Sequence, residues 1–247
     1  MKLRIKFSKY GPIRYIGHLD VMRFFQKAVR RAEIDVTYTK GFSPHQVMSF
    51  AAPLSVGLTS VGEYMDLEVN SLVSCEDIKD RLNAASVPGI EVLSVKCLPD
   101  NAKNAMASVA AAKYQVSFKE GKDASITITQ DMIQEFLSKE KILYTKESKK
   151  GERELDLKEG IYEFYEEDGK LYMILDASSA GNIKPIHVMD ALLSDHNETL
   201  QENALAVHRL ETYMNDGDEE NRHLVPLDAI GTTTIPVTVE ENSEQSN

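Results

Sequence analysis

The sequence of 247 residues predicts an α+β protein made of two tandem ferredoxin-like (βαββαβ) units with antiparallel sheets. Three observations predict it. Residues 2–7 alternate between charged and apolar side chains, which indicates a half-buried strand. Apolar residues between 19 and 33 fall at steps of three and four, which indicates an amphipathic helix with one apolar face formed by Leu19, Met22, Phe25, Val29 and Ala32. After residue 113 the same order of elements returns, with added segments.

The first unit continues after this helix with two predicted strands, residues 45–54 and 63–69, joined by a glycine-containing corner. Ser74 is a predicted N-cap for a second helix that ends near Ala85, because Asp77 occupies the capping-box position. Residues 90–98 alternate again and complete the unit as its last strand.

The second unit begins at Tyr114 and carries helices over residues 131–139 and from Pro185 onward. Its last strand is predicted over 204–213, and the polar, acidic composition beyond predicts a mobile tail. The predicted divisions are a ferredoxin-like unit over 1–98, a connector over 99–112, a second ferredoxin-like unit over 113–214 and a flexible acidic tail over 215–247.

Charge is distributed unevenly along the chain. Residues 1–50 contain ten Lys and Arg against three Asp and Glu, whereas the remainder contains 18 against 36. The net charge of −11 argues against a general nucleic-acid coat protein. The imbalance instead predicts one localised anion-binding face on an acidic body.

Several classes of protein have no support in the sequence. Cys75 and Cys97 are the only cysteines and form no C-x-x-C pair, so they indicate reduced, partly buried thiols, although a disulfide between them stays open. No P-loop, dinucleotide-binding or nucleophile-elbow motif occurs, and no cofactor or metal is predicted. No signal peptide or run of about 20 apolar residues is present, which predicts a cytoplasmic protein without a membrane span.

The predicted anion-binding face lies on and around the first helix. Cations on a rigid helix can contact phosphates, and aromatic rings beside them can stack on unpaired bases. Such a basic face is also typical of an ordinary solvent-exposed helix. The predicted RNA- or anion-binding residues are Arg14, Arg23, Lys27, Arg30, Arg31 and Lys40, with Tyr15, Tyr38 and Phe42 as stacking residues.

His18, Asp20 and His45 are candidates for acid–base catalysis of phosphodiester cleavage. Both histidines neighbour turns and could reach one end of the sheet. Two alternatives stay open. The histidines could be structural, with His18 bonding at the helix start and His45 holding its loop, or the three residues could ligate a metal, although no two-ligand spacing on one helix supports this.

Residues 13–69 resemble the radical SAM-linked protein family, a domain found beside or fused to radical SAM enzymes. The resemblance rests on Gly17-His18-Leu19-Asp20, Arg30-Arg31-Ala32, Gly41-Phe42-Ser43-Pro44-His45, Pro53-Leu54, Gly57 and Glu63-Tyr64-Met65-Asp66, and extends more loosely to about residue 210. It implies a radical SAM enzyme as partner. The chain has no C-x-x-x-C-x-x-C motif, so that enzyme would carry the iron–sulfur cluster.

These observations predict a non-catalytic accessory module that binds RNA or presents a substrate to a radical SAM enzyme, in RNA modification or ribosome-linked metabolism. Two alternatives remain: a metal-independent ribonuclease using His18 and His45, and a protein–protein adaptor. The predicted fold also resembles CRISPR repeat-processing endonucleases. Those enzymes carry a glycine-rich loop near the C-terminus, whereas residues 205–213 contain no glycine, which disfavours the ribonuclease.

Overall fold

Eleven β-strands and five α-helices make up the part of the chain that the computed structural model describes, residues 1–122, 127–148, 151–218 and 221–235. The strands are β1 (Lys2–Lys9), β2 (Met48–Phe50), β3 (Thr59–Glu68), β4 (Ile90–Cys97), β5 (Ala111–Phe118), β6 (Leu143–Ser148), β7 (Gly151–Asp156), β8 (Ile161–Glu167), β9 (Lys170–Asp176), β10 (Leu205–Asn215) and β11 (Leu224–Pro226). The helices are α1 (His18–Arg31), α2 (Cys75–Ala84), α3 (Ala105–Ser108), α4 (Gln130–Ser138) and α5 (Pro185–Asp195).

Nine of these strands form one continuous sheet of order β4-β1-β3-β10-β5-β9-β8, with β2 beside β3 and β11 beside β10. β6 and β7 form a separate hairpin. The general α+β class is confirmed, but the prediction of two tandem ferredoxin-like units with antiparallel sheets is wrong. The strands of both halves share one mixed sheet, because β10 pairs with β3 in parallel. Local periodicity predicts the strands but cannot predict which edges meet.

The junction between the two halves is a close backbone contact. A Cβ atom added at Gly62 of β3 would lie 2.5 Å from the Cα of Glu211 in β10. Thr212 strengthens the junction, because its hydroxyl donates a 2.7 Å hydrogen bond to the Gly62 carbonyl. Only glycine permits this approach, so the residue is needed for packing rather than for turn flexibility.

Each half of the sheet has its own hydrophobic cluster. The first joins β1, β3 and β4 to α1 and α2, and the second joins β5, β8 and β9 to α4 and α5. The predicted first helix is confirmed, except that Leu19 is 60% exposed and lies outside the core. Ser74 caps α2 by accepting from the Asp77 N–H at 3.0 Å, as the sequence predicts. The predicted strand 45–54 is shorter, since only Met48–Phe50 pairs with β3 as a strand.

The prediction of a mobile tail over 215–247 is wrong for residues 224–232. β11 pairs with β10, and the side chain of Leu227 is fully buried. Thr232 exchanges backbone hydrogen bonds of 2.7 and 2.9 Å with Cys97. A short apolar Leu-Val-Pro-Leu run is too small to stand out in an acidic segment, which is why composition missed it. Residues 219–220 and 236–247 of the predicted tail lie outside the described residues.

Arg4 ties this segment to the rest of the first half. Its guanidinium is fully buried and pairs with Asp66 of β3 at 2.8 and 3.0 Å. It also donates to the Leu227 carbonyl at 2.8 Å and to the Lys103 carbonyl at 3.0 Å. A single cation on β1 therefore holds β3, the segment before α3 and the segment after β11.

The two cysteines are free and buried, with their sulfur atoms 3.5 Å apart. None of the five described helices has the length and apolar character that crossing a bilayer requires.

Candidate anion-binding surface

Three cations form a stripe along the exposed side of α1. Arg23, Lys27 and Arg30 follow one another at steps of four and three, so their side chains line one face of the helix. The opposite face, with Val21, Phe25, Ala28 and Val29, is buried against the sheet. We call Arg23, Lys27 and Arg30 the basic stripe. The exposed Leu19, one turn before Arg23, extends the same side of the helix.

Few groups in the described part of the protein engage the basic stripe. Arg23 makes an exposed ion pair of 3.2 Å with Asp20, and Arg30 donates to the Gln26 carbonyl at 3.2 Å. Like charges at helical spacing repel one another, and an exposed ion pair contributes little to stability. A positive charge near the C-terminal end of a helix interacts favourably with the helix dipole. This explains Arg30, which lies in the last turn of α1, but it does not explain Arg23.

A polar hairpin with exposed aromatic rings flanks the stripe. Tyr38 and Gln46 form an isolated antiparallel bridge, and the Gln46 amide donates to the Gln26 carbonyl at 3.3 Å, so the hairpin lies beside the middle of α1. Phe42 at the tip is fully exposed, and Tyr38 is 48% exposed. Lys40 between them is exposed as well.

Arg14 and Tyr15 lie before the start of the helix. They occupy a short 3-10 turn, Gly11–Tyr15, in which the Arg14 guanidinium lies 4.8 Å from the centre of the Tyr15 ring. The Gly57 N–H donates to the Arg14 carbonyl at 2.8 Å and fixes this turn to the loop before β3. Both side chains are exposed. They extend the surface beyond the N-terminal end of the stripe.

Arg31 is the exception among the predicted cations. It donates at 2.8 Å to the carbonyl of Ala85, the C-cap residue of α2, and its guanidinium lies 5.9 Å from the Phe24 ring. A donor on an end carbonyl is a helix-capping contact. Arg31 is therefore turned toward α2 and occupied there, away from the hairpin.

The structure does not bring the three candidate catalytic residues together. His18 packs edge-on against Phe50, with ring centres 5.3 Å apart. His45 lies in the hairpin, where its Nδ1 is 3.1 Å from the Thr39 hydroxyl, and this hairpin contacts α1 at Gln26, about 12 Å along the helix from His18. Asp20 pairs with Arg23. Within the described ranges, no group of three or more His, Cys, Asp or Glu side chains could hold a metal ion.

A buried polar network that sequence reasoning missed lies at the junction of the two halves. Arg209 of β10 pairs with Glu63 of β3 at 3.0 Å, and both are almost fully buried. Burial lowers the pKa of the Arg209 guanidinium, but the Glu63 carboxylate and the Tyr114 hydroxyl together outweigh burial, so the pKa is raised overall. The same carboxylate acts on the buried Lys9, whose pKa is lowered by burial and only partly restored by Glu63. Each residue occupies an ordinary strand position, so no sequence signal marks the network.

The comparisons with known proteins place the chain in a family without assigning it a reaction. A search of curated proteins found no match. The resemblance found in the sequence is confirmed only in its coarser part, a conserved bacterial domain of unknown function, and nothing in the match links the chain to radical SAM enzymes. Because the family model covers residues 2–185, the chain belongs to the family described as uncharacterized proteins conserved in bacteria (DUF2344).

Proposed function

We propose that this protein is a cytoplasmic, non-catalytic accessory module that binds single-stranded RNA, or presents an RNA substrate, through the basic stripe and its flanks. The observation that carries the proposal is the exposed row Arg23, Lys27 and Arg30, together with the exposed rings of Tyr38 and Phe42 on the hairpin that contacts the same helix. Cations on a rigid helix suit phosphates, and adjacent rings suit unpaired bases.

Arg14 and Lys40 extend the proposed surface at its two flanks, with Tyr15 as a further stacking residue. All three are exposed. Arg31 contributes least, since its guanidinium already caps α2. The acidic remainder of the chain would repel RNA elsewhere and restrict binding to this surface.

A binding measurement tests the surface. Fluorescence anisotropy with a labelled single-stranded RNA of about 12 nucleotides should show an affinity that falls with salt, with a log–log slope of about −3 for four to five phosphate contacts. The double variant Arg23→Glu/Lys27→Glu should weaken binding at least about 30-fold, because it replaces two attractions with two repulsions. Phe42→Ala should weaken it by about 1–3 kcal/mol if a base stacks there.

The matched control is Lys141→Glu/Lys170→Glu, which makes the same change in net charge at exposed positions outside the surface. It should change the affinity less than about threefold, since its charges act only at long range. If both double variants weakened RNA binding equally, net charge alone would control the affinity, and this would contradict a defined site. Absence of RNA binding at low salt would favour the protein–protein adaptor.

The ribonuclease alternative gives a different result in the same assay. If His18 and His45 catalysed cleavage, the labelled RNA would be shortened, and His18→Ala would stop this without changing binding. Since the two histidines have separate contacts, we expect intact RNA and an unchanged affinity for His18→Ala.

A radical SAM enzyme as the partner is the finer part of the proposal and rests on the sequence resemblance alone. In it, the enzyme carries the cluster and this chain contributes the RNA-binding surface. Affinity purification of the full chain, with identification of bound proteins and sequencing of bound RNA, tests both parts. Recovery of RNA without a radical SAM enzyme would keep the RNA-binding module and remove the partner.

A further inference from the structure

A cavity of about 600 Å³ lies where the loop of residues 53–58 faces β10 and the start of α5. This volume is within the range of sites for small molecules. It does not include the basic stripe. The loop also contacts the turn before α1, because its Gly57 N–H donates to the Arg14 carbonyl.

The lining of the cavity combines three cations with a set of apolar side chains. Lys119, Lys184 and Arg209 contribute to it, and no carboxylate lines it among the described residues. Leu54, Val56, Leu58, Leu200, Leu205 and Val207 form the apolar part of the lining. In a chain with a net charge of −11, three cations without an acidic residue in one cavity are unexpected.

Arg209 is the buried cation of this lining. The side chain is 6% exposed, and its Nε, which is shielded from solvent, has no hydrogen-bond partner in the described part of the protein. Its Nη1 is occupied by the Ala52 carbonyl and Glu63, both at 3.0 Å, whereas its Nη2 donates at 3.4 Å to the Tyr114 hydroxyl. Arg209 therefore contributes positive potential to the cavity rather than a direct two-bond contact.

The N-terminal end of α5 adds a second source of positive potential. Lys184 is the N-cap residue, and Pro185 and Ile186 open the helix, and all three line the cavity. The first turn contains no acidic side chain, so no charge within it offsets the positive end of the dipole. Helix N-termini of this kind favour anions.

We propose that this cavity binds a small molecule with an anionic group, a carboxylate or a phosphate, on an apolar body. The anionic group lies at the start of α5, where Lys184 and Lys119 can contact it, and the buried charge of Arg209 adds to the positive potential. The body packs on the leucine and valine side chains. Glu63 offsets one of the three cations, which leaves an excess of positive charge for the ligand.

Isothermal titration calorimetry on the full chain tests this site with two pairs of probes. Adenosine 5′-monophosphate is compared with adenosine, and octanoate is compared with octan-1-ol. At least one anion should bind with a Kd of about 1 mM or tighter, and its uncharged counterpart should bind at least about tenfold more weakly. The pair that responds distinguishes a phosphate ligand from a carboxylate ligand.

Variants locate the binding. Lys119→Gln/Lys184→Gln should weaken the anion at least about tenfold, whereas Lys141→Gln/Lys170→Gln, also at exposed positions, should leave it within about twofold. Arg209→Gln removes a cation from the lining and should weaken binding at least about threefold. If this buried substitution unfolds the chain, the lysine pair still decides the question, since both lysines are exposed.

Arg23→Glu/Lys27→Glu should leave anion binding unchanged, which separates this site from the proposed RNA surface. Three results would overturn the proposal: no binding of either anion up to about 10 mM, equal binding of the uncharged counterparts, or unchanged binding in Lys119→Gln/Lys184→Gln.

Discussion

The exposed cations of α1 and the buried arginines of the sheet differ in how many polar partners they have. Arg23, Lys27 and Arg30 are exposed, and within the described ranges each has at most one weak contact. Arg4 and Arg209 are buried and each pairs with a carboxylate and with backbone carbonyls. A buried charge is tolerated only with such partners, whereas an exposed charge needs none.

This difference indicates which cations are candidates for a function in this chain. The partners of Arg4 accept hydrogen bonds from all three of its guanidinium nitrogens, so a structural role explains this residue. The basic stripe has no comparable structural explanation, and Arg209 is intermediate, because it is paired on one edge and unpaired at Nε. Cations with unused capacity are the candidates for ligand binding.

The largest expected effect is at Arg4. Arg4→Ala should lower the free energy of unfolding by about 3–5 kcal/mol, because it leaves the Asp66 carboxylate without its charge partner in a largely buried place. Urea denaturation measures this. The control is Lys2→Ala, an exposed cation two residues earlier on β1, which should change stability by less than about 0.5 kcal/mol. Similar losses in both variants would break the comparison.

The Cys97 thiol is a third case, a buried group that remains uncharged because it keeps its proton. Burial raises the pKa of the Cys97 thiol to about 12, with the Cys75 thiol as a further cause. Between pH 9 and pH 12 the unfolded chain therefore releases this proton while the folded chain holds it, so stability falls as pH rises, by up to about 1.4 kcal/mol per pH unit.

The measurement for this thiol is urea denaturation of the wild type and Cys97→Val across that pH range. Other groups titrate in this range too, so the quantity compared is the free energy of unfolding of the wild type minus that of Cys97→Val. This difference should fall as the pH rises, and it becomes negative where the variant is the more stable protein. A difference that stays constant with pH would show that burial does not hold the proton on Cys97.

The smallest expected effect concerns the basic stripe itself. Neutralising it in Arg23→Gln/Lys27→Gln/Arg30→Gln should change the free energy of unfolding by less than about 1 kcal/mol, since these side chains lose only exposed contacts. Thermal unfolding measures this, and the same protein should have lost most RNA affinity. A loss of several kcal/mol would give the stripe a structural role and weaken the functional proposal.

The sequence predicted the candidate surface better than it predicted the sheet. The exposure of Arg23 and Lys27 follows from helical spacing alone, a local property that three or four neighbours determine. Leu19 also fits steps of three and four, but two successive steps of three carry it around the helix to the side of the basic stripe, where it is exposed. Local spacing thus predicted the helix but misplaced one apolar residue around its axis.

The shared sheet and the cavity depend on long-range contacts that no local pattern encodes. The pairing of β3 with β10 joins Thr59 to His208 across 149 positions of sequence, and it places Arg209 next to Glu63. Each strand had an ordinary alternating pattern. The arginine at the cavity and the packed Leu227 were missed for this reason, since their burial is decided by distant partners.

The parallel contact between β3 and β10 also has a consequence during synthesis. On the ribosome, β1, β3 and β4 emerge well before β10, so the β3 edge at Gly62 stays open until most of the chain has been translated. Loop closure over such a separation is slow, and an open strand edge is a site for association with other chains. The nascent chain therefore depends on β10, a late strand, to close the middle of its sheet.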